Sequence, residues 1–372
     1  MTEITRPRPK VAVIGGGFGG VRVAKGLDDI ADVTLVDPSD AFLHNVASWR
    51  ALVEPEWVDR IFLPYDRLLR HGRFVHDRAV AVDGRQVTLA GGERLEPDYL
   101  VLATGSSYPF PAKSDEARGA TARARFRAAH QELRDARRVL VVGAGPSGLE
   151  LAGEIKSFFP EKQVTVVDAG PDILPGPYEQ ALRDELRGQL DKLGVELRLG
   201  SPLRDLPSVT PATTAPVSVT TIGGEELDAD IWYRCFGTGL QTDYLRGTLA
   251  DTRDEQGYLR VDDQLRVVGQ ERIFALGDIA DADTNLAGRA MQQADLLAAN
   301  LRAEITGEGE ITSYRRGPTV AVIPLGPDGG AGQLPWIEGI AGPEAVSEIK
   351  GRSMLVEMNS VLFDAPVGGD QS

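Results

Sequence analysis

Two glycine-rich segments stand out as able to do chemistry. The first reads Lys10-Val11-Ala12-Val13-Ile14-Gly15-Gly16-Gly17-Phe18-Gly19-Gly20, and the second Arg138-Val139-Leu140-Val141-Val142-Gly143-Ala144-Gly145-Pro146-Ser147-Gly148. Gly15, Gly17 and Gly20 hold the same spacing as Gly143, Gly145 and Gly148. At that spacing the first glycine permits a tight turn, the second lets backbone approach a pyrophosphate, and the third lets the next helix pack on the strand. The helix N-terminus then turns free N–H groups and a partial positive charge toward the phosphates. Each copy ends in a β-branched run closed by an acid, Val33–Asp37 and Val164–Asp168. A carboxylate there can accept hydrogen bonds from a ribose. The offsets from first glycine to acid are 22 (Gly15 to Asp37) and 25 (Gly143 to Asp168). One such glycine run is compatible with a plain structural turn. A matched pair, each bracketed by apolar strands, points to two dinucleotide sites.

Composition narrows the chemistry further. The chain has 372 residues, 40 basic against 55 acidic side chains, and a formal charge of −15, which argues against nucleic acid or an anionic membrane surface as a main partner. Cys235 is the sole cysteine, so electrons cannot be relayed through an intramolecular cysteine pair, and no cysteine-rich metal site is available. The four histidines, His44, His71, His76 and His130, show no metal-ligand spacing, so no metal is expected. The first residues lack an apolar signal core, Thr2 stands where myristoylation requires glycine, and no apolar run approaches 18 residues. A cytoplasmic protein is expected, with peripheral contact at a membrane left open and no membrane span.

The elements that must hold the two loops follow from the rest of the chain. Asp98–Gly105 reads as a buried strand running through Ala103 and Thr104 into a glycine turn, and Arg272–Asp278 as a second strand ending in Gly277-Asp278. This arrangement resembles the two-dinucleotide-domain flavoprotein oxidoreductases. The resemblance implies an α/β fold of two Rossmann-like domains with glutathione-reductase-like architecture, plus a small C-terminal region. A FAD domain is expected over 7–125 and 248–306, an inserted NAD(P)H domain over 126–247, and a C-terminal region over 307–372 that covers the flavin and a quinone site. Asp278 would then reach the ribityl or pyrophosphate part of FAD. The helix opening at Leu286–Ala294 would turn its dipole toward the flavin. Prolines 318, 324, 327, 335 and 343 divide the C-terminal region into short strands before an amphipathic stretch over 345–358, and residues 366–372 read as a polar, disordered end.

Further stretches are similar to the ferroptosis suppressor branch of this superfamily, related to apoptosis-inducing factor. They include His44-Asn45-Val46-Ala47 through Arg50-Ala51, Leu102–Ser106 with Phe110-Pro111, Glu154-Ile155-Lys156, Gly277–Asp281 and Ile349–Arg352. That resemblance implies FAD-dependent oxidation of NADH, with NADPH as the alternative donor, and reduction of a quinone. It places Gly15, Gly16, Gly17, Phe18, Gly19, Gly20, Asp37, Ala103, Thr104, Gly105, Gly277 and Asp278 at FAD, and Gly143, Gly145, Gly148, Asp168 and Gly237 at the nicotinamide dinucleotide. Arg50 would pair with the FAD pyrophosphate, against the alternative of a solvated helix arginine. Val80 would offer backbone contacts to adenine. Glu150 would sit near the nicotinamide and flavin, although the helix dipole alone also favours an acid in a first turn. Lys350 would lie close to the isoalloxazine, against the alternative of a surface lysine. Asp168 disfavours a 2′-phosphate and so favours NADH. Two rivals remain open at this stage. One is reduction of a ferredoxin- or rubredoxin-type carrier, and the other a redox sensor like apoptosis-inducing factor. The chain alone leaves monomer and homodimer equally open.

Overall fold

A computed structural model describes residues 7–364; the terminal stretch over 366–372 lies outside the described residues. Five parallel strands form the first sheet, in the spatial order Ile273–Ala275, Tyr99–Leu102, Lys10–Ile14, Asp32–Asp37, Arg73–His76. A parallel sheet must be covered on both faces, which is why its central strands are continuous apolar runs rather than alternating ones. Val11–Ile14 and Tyr99–Leu102 are buried throughout. One face carries the helices Phe18–Leu27 and Ala287–Thr306, joined through Val21, Leu27, Ala294, Leu297 and Leu301. The other face is closed by a small antiparallel sheet over Ala79–Asp83, Gln86–Leu89 and Arg94–Leu95, which packs Val82, Val87 and Leu89 against Ile14 and Leu100.

The second sheet has four parallel strands, ordered Val195–Arg198, Gln163–Val167, Arg138–Val142, Ile231–Arg234. Its helices Pro146–Phe158 and Gln180–Lys192 bury Leu149, Ile155, Leu182, Leu186 and Leu190 on one face. A hairpin over Val217–Thr220 and Glu226–Ala229 covers the other. The second fold is inserted between strands of the first, so the chain crosses between them twice. The outgoing Ser106–Ser107 and the returning Gly239–Leu240 pair as antiparallel strands and hold the two crossings together.

The C-terminal region forms short antiparallel strands over Ala321–Pro324, Gly330–Gln333 and Ile340–Ala341. They lie against the helix Pro146–Phe158 so closely that a Cβ on Gly153 would stand 2.4 Å from Leu325 Cα. The amphipathic stretch is broken rather than continuous. A turn of helix over Pro343–Val346 widens into a π-turn over Ser347–Gly351, and a separate helix follows at Val356–Ser360. No helix among the described residues is long and apolar enough to cross a membrane.

Candidate functional site

A cleft of about 830 Å³ opens over the carboxyl end of the first sheet. Its walls include Gly15, Gly16, Gly17, Phe18, Gly19, Asp37, Ala103, Thr104, Gly105, Gly277, Asp278 and, from the second fold, Gly237. The loop geometry explains the glycines. Gly15 has φ +104°, and a Cβ there would stand 2.3 Å from the Ala103 carbonyl oxygen. A Cβ on Gly20 would meet the Gly15 carbonyl oxygen at 1.8 Å, so Gly20 serves helix–strand packing and faces away from the cleft. Gly17 has open space before it, where a pyrophosphate would lie. Asp37 accepts from Gly16 N–H at 2.6 Å and from Ser39 N–H at 2.8 Å. Burial pushes its carboxyl above the usual carboxylate range, partly offset by those two bonds. The volume falls within the ~300–1,000 Å³ of small-molecule sites. The cradle and the ribose-facing acid fit a dinucleotide cofactor.

At the other end of the cleft, Asp278 is held by partners far away in sequence. Ser106 Oγ donates to its Oδ2 at 2.5 Å, and Lys113 Nζ lies 3.4 Å from the same oxygen while donating to Ser106 O at 2.7 Å. Gly277 N–H donates to Gln293 Oε1 at 2.7 Å, and the helix Ala287–Thr306 brings Ala287 and Ala290 to the wall. Ser106 was marked only as the end of a family-like stretch and Lys113 carried no signal in the sequence, because their contact with Asp278 spans more than 160 residues.

A smaller hollow of about 230 Å³ abuts the cleft and shares Asn45, Val46, Tyr108 and Lys113 with it. Here the structure brings together the two residues singled out for catalysis: Lys350 Nζ donates to Glu150 Oε1 at 2.7 Å and to Val322 O at 3.3 Å. Burial raises the Glu150 carboxyl above its ordinary value, and the Lys350 ammonium draws it back. Lys350 rides on the π-turn, a widened helical turn of the kind often found at functional sites.

Arg50, expected at a pyrophosphate, does not line the cleft. Its Nε and Nη2 donate to Glu154 at 2.7 and 2.8 Å, Nη2 also donates to Gly351 O at 2.9 Å, and the guanidinium lies against the Trp57 and Phe158 rings. It is 2% exposed and spent on a buried ion pair, so the pyrophosphate role is corrected to one of joining the two folds and the C-terminal region. Val80 also stands outside the wall; its side chain is exposed, and Asp77, Arg78 and Ala79 take the lining positions.

The second loop repeats the first. Gly143 has φ +113°, a Cβ on Gly148 would lie 1.9 Å from the Gly143 carbonyl oxygen, and Gly145 faces open space. Asp168 accepts from Ala144 N–H and Gly170 N–H, both at 2.6 Å. Gly143, Gly145, Gly148 and Asp168 line neither cavity; Ser147 and Glu150, on the helix that follows the loop, reach the smaller one. His44 is a structural pin. The Met354 carbonyl accepts from its Nε2 at 2.7 Å, so Nδ1 is left to accept from Asn359 Nδ2 at 2.9 Å, and burial lowers its pKa to about 4. Cys235 is buried and its thiol pKa is pushed up by desolvation.

These features define a flavin- and nicotinamide-binding oxidoreductase. The chain belongs to the pyridine nucleotide-disulphide oxidoreductase family, which matches residues 9–294, and is an FAD-dependent NAD(P)H oxidoreductase. Its single cysteine sets it apart from the disulphide half of that family name. It is 31% identical over 334 residues to ferroptosis suppressor protein 1 of Homo sapiens, covering 87% of this chain and 88% of that one. It is 28% identical over 355 residues to apoptosis-inducing factor homolog A of Dictyostelium discoideum, covering 90% and 87%. Among solved structures, NDH2 from Plasmodium falciparum in complex with NADH superposes with a TM-score of 0.74 at 15% identity, over 96% of this chain and 99% of that one.

Proposed function

We propose that this enzyme oxidises NADH and delivers two electrons to a quinone. The observation that carries the reading is the Lys350–Glu150 pair, set in a hollow continuous with the dinucleotide cleft. Similarity to ferroptosis suppressor protein 1 across most of both chains supports it. Gly15–Gly19, Asp37, Thr104 and Asp278 would hold FAD. When bound, that group supplies the redox chemistry, accepting a hydride from the reduced nicotinamide and returning an electron pair. Gly143–Gly148 and Asp168 would hold NADH. Both Asp168 oxygens already accept one N–H each, and their remaining lone pairs suit ribose hydroxyls and repel a 2′-phosphate. Lys350 places a cation where negative charge develops, and orients the quinone oxygen. Reducing a quinone to the quinol takes two electrons and two protons; NADH brings one proton with its hydride, and Lys350 Nζ is the donor for the second. Glu150, kept close by the same hydrogen bond, holds that ammonium in place.

The test is steady-state NADH oxidation with and without a short-chain quinone. Quinone should stimulate turnover well above the oxygen background. K350M should lower quinone-dependent kcat by roughly 100–1,000-fold, in line with the loss of one electrostatic stabiliser, while leaving flavin content unchanged. A rate that quinone does not raise would remove the acceptor assignment and leave the flavin intact.

A further inference from the structure

In both folds one strand runs parallel to the glycine-loop strand and ends level with it, and the two differ in the character of its last residue. In the first, Tyr99–Leu102 runs parallel to the glycine-loop strand with Leu102 opposite Ile14. In the second, Ile231–Arg234 runs parallel to its own loop strand with Arg234 opposite Val142. The residues that follow match again. The Ala103 and Cys235 carbonyl oxygens each close on the first loop glycine, 2.3 and 2.7 Å from where its Cβ would be, and Gly105 and Gly237 both turn at positive φ, +65° and +87°. Leu102 is fully buried among Ile14, Leu100 and Ala275. Where the first fold places that leucine, the second places a guanidinium.

A half-buried cation loses hydration and needs an answering charge. Among the described residues no carboxylate forms an ion pair with Arg234 and no acceptor takes its N–H groups. Its Nε is sealed from solvent without a partner. The guanidinium carbon lies 4.7 Å from the Phe236 ring centroid, and Nη2 would stand 2.6 Å from a Cβ on Gly237, so its place is set by packing. It opens into the large cleft, where Lys113 and Arg125 are already paired with Asp278 and with Asp115 and Glu116, and where Arg78 sits at the Asp37 end.

We infer that Arg234 anchors a phosphate of the nicotinamide dinucleotide. This rests on, and deepens, the reading of NADH as donor. Val142 leads directly into Gly143, and neighbouring strands lie ~4.8 Å apart, so Arg234 starts one strand-width from the loop that faces the pyrophosphate. That loop, Gly143-Ala144-Gly145-Pro146-Ser147, contains no cation of its own. Its helix offers N–H groups from one side, and the planar fork of an arginine can grip phosphate oxygens from the other. Phe236 and Gly237 hold the fork flat at the rim.

The experiment is equilibrium titration of the oxidised holoenzyme with NAD⁺ and with nicotinamide mononucleotide, which avoids turnover and any acceptor. R234Q should raise the NAD⁺ Kd by about 10-fold or more and flatten its salt dependence, with R234K recovering part of the loss; because Arg234 also lines the large cleft, FAD content falling with NAD⁺ binding unchanged would place the guanidinium at the flavin cofactor and overturn the inference. A parallel loss for the mononucleotide assigns the nicotinamide-side phosphate; a loss confined to NAD⁺ assigns the adenosine side. R234L restores the residue type of the first fold, so it should bind NAD⁺ as weakly as R234Q while unfolding at the same or a higher temperature. An NAD⁺ Kd within twofold of the parent in both variants would overturn the inference, as would a raised quinone KM with NAD⁺ binding unchanged. If the unaltered holoenzyme binds neither nucleotide, the donor assignment falls and the inference with it. Lack of stimulation by quinone leaves this titration unaffected.

Discussion

In the first glycine loop, Gly16 lies beneath Tyr65, whose hydroxyl donates to the Gly16 carbonyl at 2.8 Å and would stand 2.4 Å from a Cβ at that position. In the second loop the same position is Ala144, and its N–H is held by Asp168 as Gly16 N–H is held by Asp37. The remaining loop geometry is nearly superposable. What separates the two folds is enclosure: the first loop lines a deep cleft closed by side chains from several segments, and the glycines of the second line neither that cleft nor the smaller hollow. The difference suits the proposed division between a resident cofactor at the first loop and an exchanging donor at the second.

The largest effect should come from cutting the link between the folds. Arg50 belongs to the first fold and Glu154 to the second, and R50M leaves a buried carboxylate without its partner, at a cost of about 3–5 kcal/mol. Denaturant unfolding of the holoenzyme measures it. R50M/E154L, which removes both charges, should recover most of the loss; equal destabilisation in single and double variants would show that the ion pair is not what joins the folds.

A somewhat smaller effect should separate the folds by pH. His44 ties the first fold to the C-terminal region, through Met354 and Asn359, and its pKa is depressed from 6.5 to about 4 by burial. Above pH 6.5 it is neutral both folded and unfolded. Between pH 6.5 and 4 the unfolded chain takes up a proton that the folded protein refuses, so stability falls through that window and the contribution is lost below it. The drop amounts to ~3 kcal/mol at 1.36 kcal/mol per unit. Flavin release on acidification should therefore precede loss of the second fold, and H44Q should flatten the slope between pH 6.5 and 4. An unchanged slope would assign the acid sensitivity elsewhere.

The smallest pair tests the loops themselves. G16A forces a methyl against the Tyr65 hydroxyl and should cost roughly 1–3 kcal/mol, with weakened FAD retention measured by flavin fluorescence. The reverse change in the other fold, A144G, should cost under about 1 kcal/mol, since it only adds backbone freedom. If both changes were equally mild, the enclosing role of Tyr65 would be wrong.

Much of this was legible from residue order. The parallel strands, the glycine turns and the closing acids depend on neighbours within about 25 residues, and their spacing is dictated by backbone geometry that any copy must satisfy. The pairing of Glu150 with Lys350 was not legible. Both were singled out separately, yet their contact spans 200 residues. Arg50 was misread for the same reason: an arginine declares its charge in the sequence but not its partner, and the buried Glu154 met it before any phosphate could. Val80 was carried outward by a register shift between Ala79 and Ala81 in its strand pair.

The order of amino acids by itself determined that this chain would build two phosphate cradles and no cysteine relay, because turns, strands and the supply of thiols are local or compositional properties. Tertiary structure alone decided which charges were neutralised in the interior and which stayed free at the cleft. That outcome depends on distance and desolvation between segments far apart in the chain. It is why Asp278 finds Lys113 and Lys350 finds Glu150, while the Nε of Arg234, at the cleft, finds no partner among the described residues.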